Sequence, residues 1–427
     1  MLYLPSQTNH RITMKKPITI MLALLAIANA KANDGAFYSK GNQLIPITET
    51  TIHVQKEILT ITRVPDSING WGDLFKVDVY YEFFNPGPAK DLIVGFEATS
   101  ADGNAYGGTL DEAYAGQPFI YDFNVVMNDR KLPHQVAHVP YKYNGDYQFD
   151  YTIKTEDYYK NGKVQDMSKE QYNVAMAKIF ESEEEYLDWY GYLFYYVYHF
   201  NAHFNEGLNV IRHTYYSKGA EMVMMDYLFD YILTAANRWA NNGIDDFTLI
   251  LNMGDRESFS VNPTFFNSGD EWTFSGKGKI GERREMIGMC ENCPMFHVQT
   301  GSLVFKQKNF HPEGELHIMS DALYLYMYDF KEGDKDEIEG FVNDFKSKYY
   351  NNLLLDDEQP VDISKFTPEQ KRIVKNVPFA YRGYVFKDKG LQRFFESTDW
   401  YIPNPDYQAD MSKLETGEKK WVQYWTK

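Results

Sequence analysis

One stretch restricts the fold of this chain more than any other. Phe75, Val77, Val79, Tyr81 and Phe83 alternate with Lys76, Asp78, Tyr80 and Glu82, the two-residue period of a strand with one buried and one solvated face. Asn85-Pro86-Gly87-Pro88 then forces a turn, and Asp91 to Ala98 reads as the return strand. Upstream, Ile52, Val54 and Lys56 alternate in a segment that closes at Pro65. Phe119 to Asn128 and Tyr147 to Thr155 are further strand candidates, so the early chain is antiparallel β of the sandwich type.

A helix interrupts this pattern near 167–188. Ser168 and Gln171 have capping-box spacing, and Tyr172, Ala175, Met176, Ile179 and Phe180 share one helical face. Strands return in the aromatic block up to Phe204, in Gly207 to Tyr216 and in Tyr227 to Leu233. A short helix is expected at Ala235 to Asn242. Further strands are expected at Phe247 to Asn252, Trp272 to Ile280 and Gly301 to Gln307. Ile338, Phe341, Val342, Phe345 and Tyr349 fit a helix over Asp336 to Tyr350, and an acidic linker follows from Leu355 to Lys365. Thr367-Pro368-Glu369-Gln370 combines an N-cap, a Pro in the first turn and a capping Gln. The expected class is therefore α+β: a mainly antiparallel, sandwich-like body with inserted helices and a small helical C-terminal domain. The segments are 1–32 (signal and upstream residues), 33–330 (body), 331–366 (helix and acidic linker) and 367–427 (C-terminal domain).

The amino terminus addresses the chain for export. Lys15-Lys16, the apolar run Ile18 to Ala28, and the small-x-small sites Ala28-Asn29-Ala30 and Ala30-Lys31-Ala32 make up a secretory signal. Its removal would take away Arg11, Lys15, Lys16 and Lys31 and no acid, so the net charge of −17 becomes −21. A chain this acidic is unsuited to nucleic acid or anionic membrane, and no apolar run approaches the ~20 residues of a membrane span. The expected location is periplasmic or extracellular.

The chain's two cysteines form Cys290-Glu-Asn-Cys293. In an oxidising compartment they read as a local disulfide, with a redox pair, a metal site or free thiols as the alternatives. A zinc site would need two more ligands; His297 is near, but there is no second cysteine pair. His199 and His203 have metal-pair spacing and His213 is close in sequence. Phe200 stands where a zinc protease carries its Glu, so the histidines are read as structural or surface residues. The acids around Asp334 to Gly340 fail as a calcium loop because Ile338 stands where an oxygen ligand is required. No metal and no cofactor is expected.

A resemblance narrows the setting. Asn376-Val-Pro-Phe-Ala-Tyr-Arg-Gly-Tyr-Val-Phe386, then Leu391, Phe394, Phe395, Trp400-Tyr401-Ile402-Pro403 and Tyr407, resemble the YARHG domain, a module of secreted and envelope bacterial proteins. This chain reads Phe-Ala-Tyr-Arg-Gly where the family reads Tyr-Ala-Arg-His-Gly. The family has no established catalytic activity, so the resemblance implies location more than mechanism. Asn33-Asp34-Gly35, Phe83 to Glu97 and Tyr231 to Trp239 also resemble a family of exported bacterial β-proteins with no assigned reaction. No G-x-S-x-G, Walker A or G-x-G-x-x-G motif is present. The expectation is a non-catalytic exported protein that binds an envelope, glycan or protein partner. The alternative is a secreted hydrolase of cell-wall or dietary polymers using a carboxylate site. Trp400, Tyr401, Arg382 and Trp189 are the candidates for ligand contact.

Overall fold

The alternating strand finds its cover in two further sheets. The computed structural model describes residues 41–42, 44–48, 50–68, 72–100, 108–150, 152–182, 191–222, 225–282, 284–286, 290–321, 342, 364 and 366–426. The expected signal, Trp189 and nearly all of the expected 336–350 helix and acidic linker lie outside these residues. An eight-stranded sheet runs in the order Trp272–Phe274, Leu303–Phe310, Ile244–Asn252, His53–Pro65, Asp73–Asn85, Gly207–Lys218, Ile120–Met127, Arg130–Leu132. Its neighbours are antiparallel, apart from the parallel pair His53–Pro65 and Ile244–Asn252.

Phe75, Val77, Val79, Tyr81 and Phe83 all point inward and are essentially inaccessible to solvent. Each such side chain contributes on the order of 1.5–3 kcal/mol through burial. Two sheets share this inner face. One is four-stranded, in the order Ile45–Pro46, Lys90–Ala98, Phe194–Phe204, Gln135–Pro140. It meets the large sheet through Phe83 against Phe204 at 5.6 Å, Phe96 against Tyr215 at 5.0 Å and Phe123 against Tyr198 at 4.8 Å. The other is seven-stranded and includes Met225–Ile232, Leu316–Asp321, Glu257–Val261, Met295–Thr300 and the edge strand Lys277–Ile280. Phe75 stacks on its Phe229 at 4.6 Å, and Trp272 meets its Phe296 at 5.5 Å. The class is α+β with a mainly antiparallel, sandwich-like body.

Three expectations need correcting. Lys90–Ala98 is a strand, but it pairs with Phe194–Phe204 and Ile45–Pro46, not with Asp73–Asn85. The Pro-rich turn carries the chain from one layer to the other. Pro86 and Pro88 have no N–H to extend a ladder, and the buried Asn85 amide instead donates to the carbonyls of Pro88 at 3.0 Å and Asn205 at 3.2 Å. The segment Trp272 to Ile280 is two strands, Trp272–Phe274 in the large sheet and Lys277–Ile280 in the seven-stranded one. The chain crosses at Ser275-Gly276, where a Cβ on Gly276 would strike the backbone of Thr300. The helix expected at 235–242 is a single 3-10 turn, Thr234–Arg238. The Lys169–Met176 helix does start on the Ser168–Gln171 capping box.

His213 lies between the layers, fully buried, with Tyr81, Phe96, Phe123 and Tyr215 at ring distances of 5.7 to 6.2 Å. Neither ring nitrogen has a hydrogen-bond partner among the described residues. Burial pushes its pKa from 6.5 down to about 3, against a weaker upward pull from Asp78. The unfolded chain therefore takes up a proton below pH ~6.5 that the folded chain refuses until about pH 3. This contribution to stability is complete above the unfolded pKa and declines as pH falls, by up to ~1.4 kcal/mol per unit. His213→Phe is expected to flatten the decline between pH 6 and 4 in urea titrations, with little loss at pH 7.5.

Candidate functional site

The C-terminal helices fold around their own aromatic core. Thr367 and Gln370 cap the helix Pro368–Ala380, with Pro368 in its first turn. Asp388 caps Lys389–Ser397, and Glu415 with Glu418 caps Thr416–Tyr424. Val374, Val377, Phe395 and Trp421 are fully buried in one cluster with Tyr381, Trp400 and Tyr401. Gly383 has φ +76°, and a side chain there would collide with Ile402 and Asn404, so the Arg-Gly step of the motif is a backbone requirement.

Three of the four candidate ligand residues are committed inside this module. Trp400 stacks on Tyr381 at 4.0 Å, and its indole N–H donates to the Val342 carbonyl at 2.9 Å. The Tyr401 hydroxyl donates to the Tyr384 carbonyl at 2.9 Å. Arg382 forks onto Glu418 at 2.6 and 2.7 Å and also donates to the Pro378 carbonyl at 2.9 Å. The Arg382 and Glu418 side chains keep 11% and 2% of their exposure, so each neutralises a charge that burial would otherwise penalise. Trp189 lies outside the described residues.

The residue before Trp400 faces the other way, towards the β body. Asp399 Oδ2 is 2.8 Å from His297 Nε2, and His297 Nδ1 is 2.7 Å from Ser258 Oγ. The Glu282 amide donates to both Asp399 oxygens, at 3.0 and 3.1 Å. The close approach requires Gly281, where a Cβ would run into Asp399 and His297. Ser258, His297 and Lys279 are direct cross-strand neighbours on Glu257–Val261, Met295–Thr300 and Lys277–Ile280. Burial lowers the Lys279 pKa, against an upward pull from Asp399. Around this centre Gln299 donates to the Ile402 carbonyl at 3.0 Å, Lys277 to Asn404 at 2.9 Å, and Arg256 pairs with Glu415 at 2.7 Å.

A carboxylate can only accept, so with a neutral imidazole Nε2 carries the proton and Nδ1 accepts the Ser258 hydroxyl. Ser–His–Asp in this order is the constellation of acyl transfer, with the roles of the two ring nitrogens exchanged relative to the serine-protease arrangement. Sequence reasoning named His297 only as a neighbour of the cysteines and named neither Ser258 nor Asp399. The three come from two strands and a loop of a separate module, and no local spacing joins them.

The remaining candidates lie apart. His203 pairs with Asp91 at 2.7 Å on an exposed strand end, whereas His213 belongs to a different sheet. Among the described residues no group of three or more His, Cys, Asp or Glu could hold a metal ion. Cys290 and Cys293 are joined by a disulfide, and Cys293 is buried with Ala220, Met225, Leu228 and Met319. Several carboxylates meet arginines. Asp73 and Glu257 reach the same Arg63 guanidinium at 2.8 and 2.6 Å, and Glu97 takes Arg238 at 3.0 Å and the Tyr158 hydroxyl at 2.6 Å.

Residues 347–427 match the YARHG domain. No curated protein matches the chain. Among solved structures it is similar to a putative nutrient binding protein from Legionella pneumophila, at 17% identity over 91% of this chain and 97% of that one, with a TM-score of 0.44. It is also similar to an M1 zinc metallopeptidase from Deinococcus radiodurans, at 8% identity over 64% of this chain and 43% of that one, with a TM-score of 0.24. At such TM-scores neither likeness bears on function.

Removing one member of the Arg382–Glu418 pair strands the other in the module core. Arg382→Ala is expected to cost ~3–5 kcal/mol, and the double apolar variant Arg382→Met/Glu418→Leu to cost much less. Chemical denaturation of the full chain, followed by tryptophan fluorescence, measures both.

Proposed function

We propose that the protein is an exported bacterial protein without catalytic activity that binds an envelope, glycan or protein partner. The observation that carries this reading is the state of its buried carboxylates. Among the described residues the buried Glu97, Glu257 and Glu418 each meet an arginine, while buried Asp230 lies 2.6 Å from His317 and buried Asp66 lies 3.9 Å from Lys218. A glycosidase needs one carboxyl kept protonated as the acid and a second left open to act on the sugar or on water. A carboxylate whose oxygens are taken by a guanidinium is not free to meet a sugar or a water. The YARHG match over residues 347–427 supports export, since that module is one of secreted and envelope proteins, and the amino-terminal signal pattern agrees with it. The polar junction centred on Asp399 would seat the module on the edge strand Lys277–Ile280 as one frame with the body.

The test is capture from envelope extract by the immobilised full-length mature chain, run beside a glycan array. Retention of a protein or a sugar supports the reading. Retention of neither overturns it.

One observation favours a second reading, a secreted hydrolase working through Ser258–His297–Asp399 rather than through a carboxylate pair. In that chemistry Ser258 Oγ attacks an acyl carbon and passes its proton to His297 Nδ1, which returns it to the leaving group. His297 is almost wholly buried beneath the docked module, which favours a structural role for the chain of hydrogen bonds. A fluorophosphonate probe decides between the two. No labelling is expected of the wild-type chain, and labelling that Ser258→Ala abolishes would establish the hydrolase.

A further inference from the structure

A small hairpin stands outside the three large sheets. Among the described residues its strands, Lys142–Gly145 and Gln148–Asp150, pair with each other and with no other strand. Its tip reads Tyr143-Asn144-Gly145-Asp146-Tyr147-Gln148, and every one of these residues except the half-buried Gly145 is exposed. Tyr143 and Tyr147 keep 43% and 48% of their surface in solvent. In a fold whose other aromatic residues are largely consumed by the core, two adjacent exposed rings stand out.

The backbone adds a second observation. Gly145 pairs with Gln148, so Asp146 and Tyr147 are the two central residues of the turn, with φ of 49° and 56°. Two positive φ values are the pattern of a type I′ turn, which favours Asn or Asp first and Gly second. Asp146 suits its place. Tyr147 occupies the place glycine would fill without strain, and a bulky side chain there costs on the order of 1 kcal/mol.

Packing holds both rings in position. Tyr143 lies 5.2 Å from Phe149, and Tyr147 lies 5.6 Å from Phe180. Phe149 and Phe180, both buried, are nearly parallel at 6.2 Å. The Tyr147 amide reaches the Tyr143 hydroxyl at 3.5 Å. Each exposed ring is thus anchored on a buried one before any ligand arrives, which lowers the entropy cost of binding.

The surrounding polar groups select the ligand chemistry. The charge of Lys142 is taken by Asp157 at 2.7 Å, and Asp150 accepts from Thr152 at 2.6 and 2.9 Å. Asn144, Asp146 and Gln148 are exposed on the same hairpin tip. This set repels anions and suits hydroxyl groups. Amides offer donors and acceptors together, and a carboxylate accepts strongly. The negative face of a tyrosine ring attracts weakly positive C–H groups. A pyranose ring presents both chemistries, an apolar C–H face and a rim of hydroxyls.

We infer that the Tyr143–Tyr147 hairpin is a glycan-binding platform, on which a neutral chain of equatorially substituted pyranoses lies across the two rings with its hydroxyls on Asn144, Asp146 and Gln148. The inference rests on the binding reading above and names the ligand class and the site.

The experiment is calorimetric titration of the full-length mature chain with two probes, cellohexaose and the hexamer of N-acetylglucosamine. Binding of at least one is expected. Tyr143→Ala and Tyr147→Gly are each expected to weaken it roughly tenfold, while Tyr143→Phe, which keeps the ring, holds it within about threefold. Tyr147→Gly relieves the strained φ, so its melting temperature should equal or exceed that of the wild type. This separates lost binding from lost folding. Equal binding by wild type and Tyr147→Gly overturns the platform and leaves the broader binding reading standing. Binding of neither hexamer, alongside capture of an envelope protein by the same chain, overturns the glycan assignment alone.

Discussion

The structure depends on one buried face. Phe75, Val77, Val79, Tyr81 and Phe83 line a single strand that no single partner sheet covers. Phe75 belongs to the contact with the seven-stranded sheet and Phe83 to the contact with the four-stranded one. The same apolar stripe therefore binds three sheets into one body, and its dry surface sets where every later element must turn. The Asn85 turn follows from this: the chain leaves one layer at its end and enters the other, so the amide of Asn85 must satisfy carbonyls that neither ladder reaches.

Around this core the polar residues are placed in closed sets. Arg63 gathers Asp73 and Glu257 from strands of different sheets, and Arg382, in the turn after one helix of the C-terminal module, meets Glu418 on another. Such pairs hold register and orientation more than they add net stability, since desolvation offsets most of their attraction. Asp399 extends this logic to the junction. Its carboxylate is met by a histidine from one strand and by a backbone amide from the segment after the edge strand, so the module and the body are positioned by the same few atoms.

The regular elements were legible because their signals are local. The alternation from Phe75 to Phe83, the capping boxes at Ser168 and Thr367, and the aromatic density from Phe379 to Tyr401 each carry their meaning within one short stretch of chain. The pairings were not legible. A strand's period says which face is buried but not against which sheet, so Lys90–Ala98 read as a hairpin partner and Trp272 to Ile280 as one strand. The functional residues divide in the same way. Arg382, Trp400 and Tyr401 drew attention through a motif, and the structure turns them inward. Tyr147 drew none as a ligand residue, because its significance is a positive φ at an exposed position, which no composition or spacing reports.

By itself the sequence determined an α+β class with a strand-rich body, a C-terminal YARHG-type module and a strongly acidic composition. These follow from period, composition and short motifs, all of which act over a few residues. Only the tertiary structure decided that Glu97, Glu257 and Glu418 close on arginines, that Ser258, His297 and Asp399 meet across a junction, and that two exposed tyrosines stand on one small hairpin. Each of these is a meeting of side chains brought together by layers packing on a shared core, and burial, not sequence distance, sets which charges must pair and which rings stay in solvent.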